Sequence, residues 1–231
     1  SNNLNVVKLF ISTNIYKYFP GGIWHFVSRY NILRLKFTIE KSIESVLLEP
    51  LLMLISGLFF IPFSGFNIFI CIICWSSTLL FSIRFREFII KYLKLVKSSI
   101  FRKYNKVNDM NIPNNNNIEK VYYPYHAIAV EVLFILFRFL GFLCCLNAFS
   151  IGSVVPKSEL IASFSFAWIV GLIVPAAPGG MGVFETAILI YLGAQLPEAP
   201  LLAALLCYRL VSTISDIFAA LVYPIKRLFI I

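Results

Sequence analysis

Five charged side chains stand where charge is costly. Glu131 and Arg138 interrupt the apolar run 127–149, and Arg209 and Asp216 interrupt 201–222. Glu185 follows Pro178-Gly179-Gly180-Met181-Gly182. A charge at mid-membrane costs about 2.5–3.5 kcal/mol on insertion scales, so each needs a partner or a task. Each helical pair is seven residues apart and shares a face. Seven residues rise about 10 Å, too far for a bond within the pair. If the two helices run in opposite directions, counting rises sets Arg138 and Asp216 at neighbouring depths, with Arg209 further out, near where the tip of a re-entrant hairpin would place Glu185. Such pairs either glue helices together or ring a polar cavity that can hold a charged headgroup.

A second set lies near the start. Pro20-Gly21-Gly22 precedes His25 and Arg29, which are four apart and share a helix face. They could grip a phosphate near the cytoplasmic side. The plainer alternative makes Arg29 a topology anchor and His25 and Trp24 interfacial residues. Glu49-Pro50 is a further candidate lining. The glycines have a mechanical part: Gly179 and Gly180 let the chain reverse, and Gly182 permits close packing. A helix starting near Met181 would aim its free N–H groups and positive end at the cavity, which suits a phosphate oxygen. Glu185, in its first turns, either complements that dipole or meets a cationic headgroup or an arginine.

These groups bind rather than react. There is no Ser/His/Asp set and no nucleotide-binding loop. His25 and His126 are too isolated for a metal site. Cys71 and Cys74 have C-x-x-C spacing but lie in an uncharged run without His or acidic ligands, so they read as small apolar residues. No cofactor is called for, and the expectation is a protein that is not an enzyme.

The elements that must position these groups are membrane helices. The chain is 59% hydrophobic and 13% charged, whereas a soluble domain is about 45–50% apolar and about 25% charged. The excess must face lipid. A span needs roughly 20 apolar residues. Segments 43–61, 66–83, 127–149 and 201–222 qualify, the first imperfectly because of Glu44 and Glu49. The Pro62–Gly65 turn pairs the first two as a hairpin. The net charge of +9 is concentrated beside the spans, which reads as topology and anionic-lipid contact rather than nucleic-acid binding. Residues 84–124 are strongly basic. Their first part suits an amphipathic surface helix, and the whole segment is expected to be cytoplasmic.

Two stretches break the pattern. Leu160–Val174 and Met181–Gly193 flank Pro175-Ala-Ala-Pro178-Gly179-Gly180, and these arms, about 22 and 20 Å long, are short for a hydrocarbon core of about 30 Å. A hairpin there puts Lys226 and Arg227 inside; a single kinked crossing puts them outside, so the hairpin is favoured and read as re-entrant from the outer side. Its tip must be buried in protein or line a wet cavity. Leu9–Phe19 and Ile23–Leu35 flank Pro20-Gly21-Gly22 and would enter from the inner side. Opposed units of this kind suggest an inverted repeat, and paired Gly/Pro-interrupted segments point to a substrate site. The expected fold is an all-α polytopic bundle forming a single transmembrane domain over 1–231, with two re-entrant or broken helices.

The run Val174-Pro-Ala-Ala-Pro-Gly-Gly-Met-Gly-Val-Phe-Glu185, followed by Gly193 and Arg209, resembles the flippase-like transmembrane region of lysylphosphatidylglycerol synthases. The family's block reads P-x-P-G-G-x-G-x-x-E; here one extra residue separates the prolines. Tyr18-Phe-Pro-Gly-Gly-Ile-Trp24, followed by Arg29, is similar to the family's earlier Pro-Gly element. The resemblance covers most of the chain. Such proteins have helices before that element, so a chain that opens on Ser1 is expected to be a fragment of a free-standing member. The resemblance implies translocation of a modified or anionic (aminoacyl-)phospholipid headgroup across a bacterial inner membrane. Lipid synthesis belongs to a soluble C-terminal domain in the fused proteins.

The alternatives are translocation of a polyprenyl-phosphate-linked sugar, a membrane enzyme acting on lipid-linked substrates, and a non-transporting subunit that anchors a lipid- or glycan-modifying enzyme. The protein partners these readings admit are a second copy of the chain and such an enzyme.

Overall fold

A computed structural model describes residues 6–19, 23–64, 72–76, 125–174 and 180–222. The described residues are helical with no strand. Helix α1 (Val6–Asn14) runs into a 3-10 turn (Ile15–Tyr18), and α2 (Trp24–Arg34) follows the first break. Then come α3 (Ile39–Phe60), a second 3-10 turn (Ile61–Ser64), α4 (Tyr125–Ala148), α5 (Lys157–Ile173), α6 (Val183–Leu192) and α7 (Glu198–Val222). The expected span at 66–83 and the basic segment at 84–124 lie outside the described residues, apart from a helical stretch at 72–76. So do Pro20, Gly21 and Gly22 of the first break, and Pro178 and Gly179 of the second.

Local chemistry sets the helix ends. Thr38 caps α3, its hydroxyl accepting from the Lys41 N–H at 3.5 Å. Pro156 precedes α5 with Glu159 in the first turn, where a carboxylate complements the helix dipole. That helix ends just before Pro175, whose ring disfavours a helical residue ahead of it. Gly182, at φ +85°, stands directly before α6 in a conformation that side-chain-bearing residues rarely adopt.

Among the described residues, three helices are long and apolar enough to cross a membrane: Lys41–Ser64, His126–Ala148 and Glu198–Val222. They expose their apolar residues. Val130, Leu133, Phe137 and Leu140 lie on the surface of α4, and Leu206, Leu210, Ile214 and Leu221 on that of α7. A surface of this composition belongs against lipid, and with the bundle it defines an all-α integral membrane protein.

The interior is aromatic. Phe142 of α4, Phe164 of α5, Phe184 of α6 and Tyr208 of α7 meet with ring centroids 5.4 Å (Phe142–Phe164), 5.5 Å (Phe164–Phe184) and 5.9 Å (Phe184–Tyr208) apart. Helix α3 packs closely on α5 through Gly57, where an added Cβ would stand 2.8 Å from Ile169 Cγ1. Small residues allow such approach between membrane helices.

Helices α5 and α6 lie antiparallel. Gly171 neighbours Gly180 beside the break, and Phe166 meets Tyr191 at 6.4 Å further down. Gln195 Nε2 then donates to Glu159 Oε1 at 2.6 Å near the far end. The arms fold back on each other, as the hairpin reading of this stretch expects and the single kinked helix does not.

Candidate functional site: a basic cavity between two interrupted helices

Helix α7 supplies the strut of the site. Its Arg209 Nε donates to Glu185 Oε1 at 2.5 Å, its Nη2 donates to the Gly180 carbonyl at 3.0 Å, and its guanidinium lies 4.8 Å from the Phe184 ring centroid. One side chain thus holds the trailing edge of the second break. Glu185 completes the arrangement, because its Oε2 also accepts from the Gly182 N–H at 2.7 Å. That N–H is one of the donors the sequence assigns to a phosphate. Here the protein's own carboxylate takes it, in the i to i+3 geometry of a capping box.

Two turns along α7, Asp216 is a hub. It accepts from Arg138 Nη2 at 3.0 Å, Lys17 Nζ at 2.7 Å, the Tyr18 hydroxyl at 2.7 Å and Asn14 Nδ2 at 3.3 Å. Both the Arg138–Asp216 contact, expected from counting helical rises, and the Arg209–Glu185 contact, expected from setting Glu185 near the tip of the hairpin, are present. The three N-terminal partners were not foreseen. Lys17 carries the one signal that could have revealed them, a base two residues before Phe19 in an otherwise semi-apolar arm. One carboxylate facing two cations leaves a positive charge in surplus.

The first unit is held by polar contacts of its own. Arg29 of α2 is buried; its Nε donates to Thr13 Oγ1 at 2.9 Å, its Nη1 pairs with Glu49, and it lies 4.3 Å from the Phe10 ring centroid. Burial pushes this guanidinium down to about 10, against the pull of Glu131. It stays protonated at neutral pH. The structure therefore places Glu131 within electrostatic reach of Arg29, and places Arg29 on internal partners. His25, four residues earlier, does face open space. Burial, with Arg29 and Lys17 adding to it, holds its imidazole down to about 4, so it is neutral at physiological pH.

Between the two units lies a cavity of about 190 Å³. Its charged lining is Lys17, Glu49, Arg138 and Arg209. His25 and Gly180 also line it, whereas Asp216, Glu185 and Arg29 do not. Three bases and one acid thus face the space, and the carboxylates that neutralise the bases stand behind them. Aromatic rings complete the walls: Phe134 and Trp168 flank Arg138 at 5.4 and 6.0 Å from their centroids. The arrangement can receive an anion against an apolar body. Among the described residues no group of His, Cys, Asp or Glu could hold a metal ion.

The fold and this cavity define a helical membrane protein built around a charged, partly apolar chamber. The model for the lysylphosphatidylglycerol synthase TM region matches residues 28–220, and the chain belongs to that family. Membership ties it to membrane lipids. Comparison with curated proteins and with solved structures finds no match.

Proposed function

We propose that the protein is a lipid translocator. It moves the headgroup of an anionic or aminoacylated phospholipid across a bacterial inner membrane, without covalent chemistry. The observation that carries this reading is the cavity, where Lys17, Arg138 and Arg209 face the space and their carboxylate partners do not. A headgroup phosphate fits among the bases. The ammonium of an aminoacyl group fits Glu49, the acid in the same lining. The exposed apolar faces of α4 and α7 leave the acyl chains in lipid.

Short antiparallel arms support a re-entrant placement of α5 and α6. Helix α6, at 10 residues, is about 15 Å long, half the hydrocarbon thickness. Backbone irregularity is tolerated at such depth where it lines a cavity.

The test is reconstitution into vesicles that carry a fluorescent phosphatidylglycerol in one leaflet. The purified protein is expected to equilibrate the label between leaflets, and Arg138→Gln and Arg209→Gln to slow it at least tenfold. Equal rates in protein-free and protein-containing vesicles would refute translocation. They would turn attention to an enzyme-anchoring role, tested by copurification.

A further inference from the structure

The cavity contains donors that the protein does not use. Among the described residues, the Trp168 indole Nε1 and the Tyr208 hydroxyl are buried and neither donates a hydrogen bond within the protein; the polar neighbour of the Tyr208 oxygen is the Arg138 guanidinium, itself a donor. Both residues line the cavity, from α5 and α7 respectively. Both also neighbour Arg138: its guanidinium lies 6.0 Å from the Trp168 ring centroid and interacts electrostatically with Tyr208. Tyr208 is only 4% exposed.

Buried polar groups are normally paired, and an unpaired one asks for an explanation. An indole N–H is a donor only, and a phenol next to a guanidinium is best used as a donor too. Two neutral donors beside one fixed cation make an oxyanion subsite. We infer that Trp168 and Tyr208, together with Arg138, bind the phosphodiester oxygens of the translocated headgroup.

The assignment rests on the translocation reading and adds specificity to it. A cation attracts any anion, whereas two directed donors select an oxygen ligand of fixed shape. A site with buried donors rejects a ligand that leaves them unpaired. The rings themselves belong to the aromatic interior, with Trp168 stacked on Phe164 at 6.2 Å and Tyr208 tilted against Phe184 at 5.9 Å. Tyr208→Phe and Trp168→Phe therefore remove the donors while keeping an aromatic ring in each place.

The experiment titrates the full chain in neutral-lipid nanodiscs with short-chain phosphatidylglycerol and, separately, with inorganic phosphate. Each single variant is expected to bind the lipid about threefold to tenfold more weakly. Without ligand, Tyr208→Phe is expected to unfold at the same temperature as the wild type or higher, because it deletes a donor that the empty protein leaves unsatisfied. A structural hydroxyl would give the opposite shift. Weakened binding of lipid but not phosphate assigns the subsite to a lipid headgroup; weakened binding of both assigns it to the phosphate group itself. Unchanged binding in both variants overturns the subsite, and so does a lowered melting temperature in ligand-free Tyr208→Phe. If the variants bind normally while the wild type still equilibrates labelled lipid, the subsite fails and translocation stands. If the wild type binds lipid, the variants weaken that binding and no lipid is moved, translocation fails and the binding subsite stands.

Discussion

The two interrupted units are built on different principles. In the second, α5 and α6 meet through rings and glycines, and Phe164 and Phe184 carry the contact into the core. In the first, α1 and α2 meet through a buried arginine that reaches Thr13 and lies over Phe10. Their ties to α7 also differ. The second unit is gripped by a base, Arg209, and the first by an acid, Asp216. An apolar joint tolerates loss of a charge better than a polar one does, because its packing remains. Substitutions that spare the packing should therefore act more severely on the first unit than on the second.

The largest effect is expected for Asp216→Asn. It leaves Lys17 and Arg138 facing each other without an acid, and breaking a buried pair in this way costs about 3 kcal/mol. Hydrogen exchange should rise at residues 14–18 and hardly change in α5 and α6. Equal loosening of both units would break the comparison. Next comes Arg209→Ala, expected to destabilise by about 2 kcal/mol, less than Asp216→Asn because it breaks one ion pair where the loss of Asp216 breaks two. A double swap, Arg209→Glu with Glu185→Arg, should recover part of the lipid movement. No recovery at normal expression would show that the Gly180 and Gly182 contacts matter more than the ion pair.

Two glycines sharpen the picture of the second unit. Gly180, at φ +70°, would place a Cβ 3.2 Å from the Gly171 carbonyl oxygen, whereas Gly182, at φ +85°, has nothing within 4 Å. Alanine at either position pays the backbone cost of about 1–2 kcal/mol. Only Gly180→Ala also presses the two arms apart, so it should lower the melting temperature further than Gly182→Ala. The smallest effect concerns His25, on a helix that is not among the three spans. Its folded value of about 4 lies below the ordinary 6.5, so the unfolded chain takes up the proton first. Stability should fall as pH drops from about 6.5 to about 4 and hold steady above that window. His25→Phe should flatten the slope in thermal melts.

Much of this could be read from the chain itself. Charges in apolar runs are conspicuous, and a rise of about 1.5 Å per residue converts position into depth, which is why Arg138–Asp216 and Arg209–Glu185 were legible. The hairpin was legible from arm length and flanking charge. Lys17, Tyr18 and Asn14 were not, because their partner lies about 200 positions away and no periodicity links them. Trp168 and Tyr208 stayed hidden for another reason. An aromatic residue in an apolar helix is ordinarily core, and only the missing partner for its polar atom separates a donor from a filler. Glu185 was half legible: its place in the first turn was clear, but not that one carboxylate serves the helix cap and the arginine together.

Helix α7 runs unbroken from Glu198 to Val222, with Arg209 and Asp216 on one face. It therefore acts as a ruler, setting the spacing of its two anchor points at about 10 Å. One residue inserted between them would turn one anchor by about 100° around the axis and leave it pointing at the wrong neighbour. The register of α7, more than the strength of either contact, keeps the two halves of the chamber facing each other.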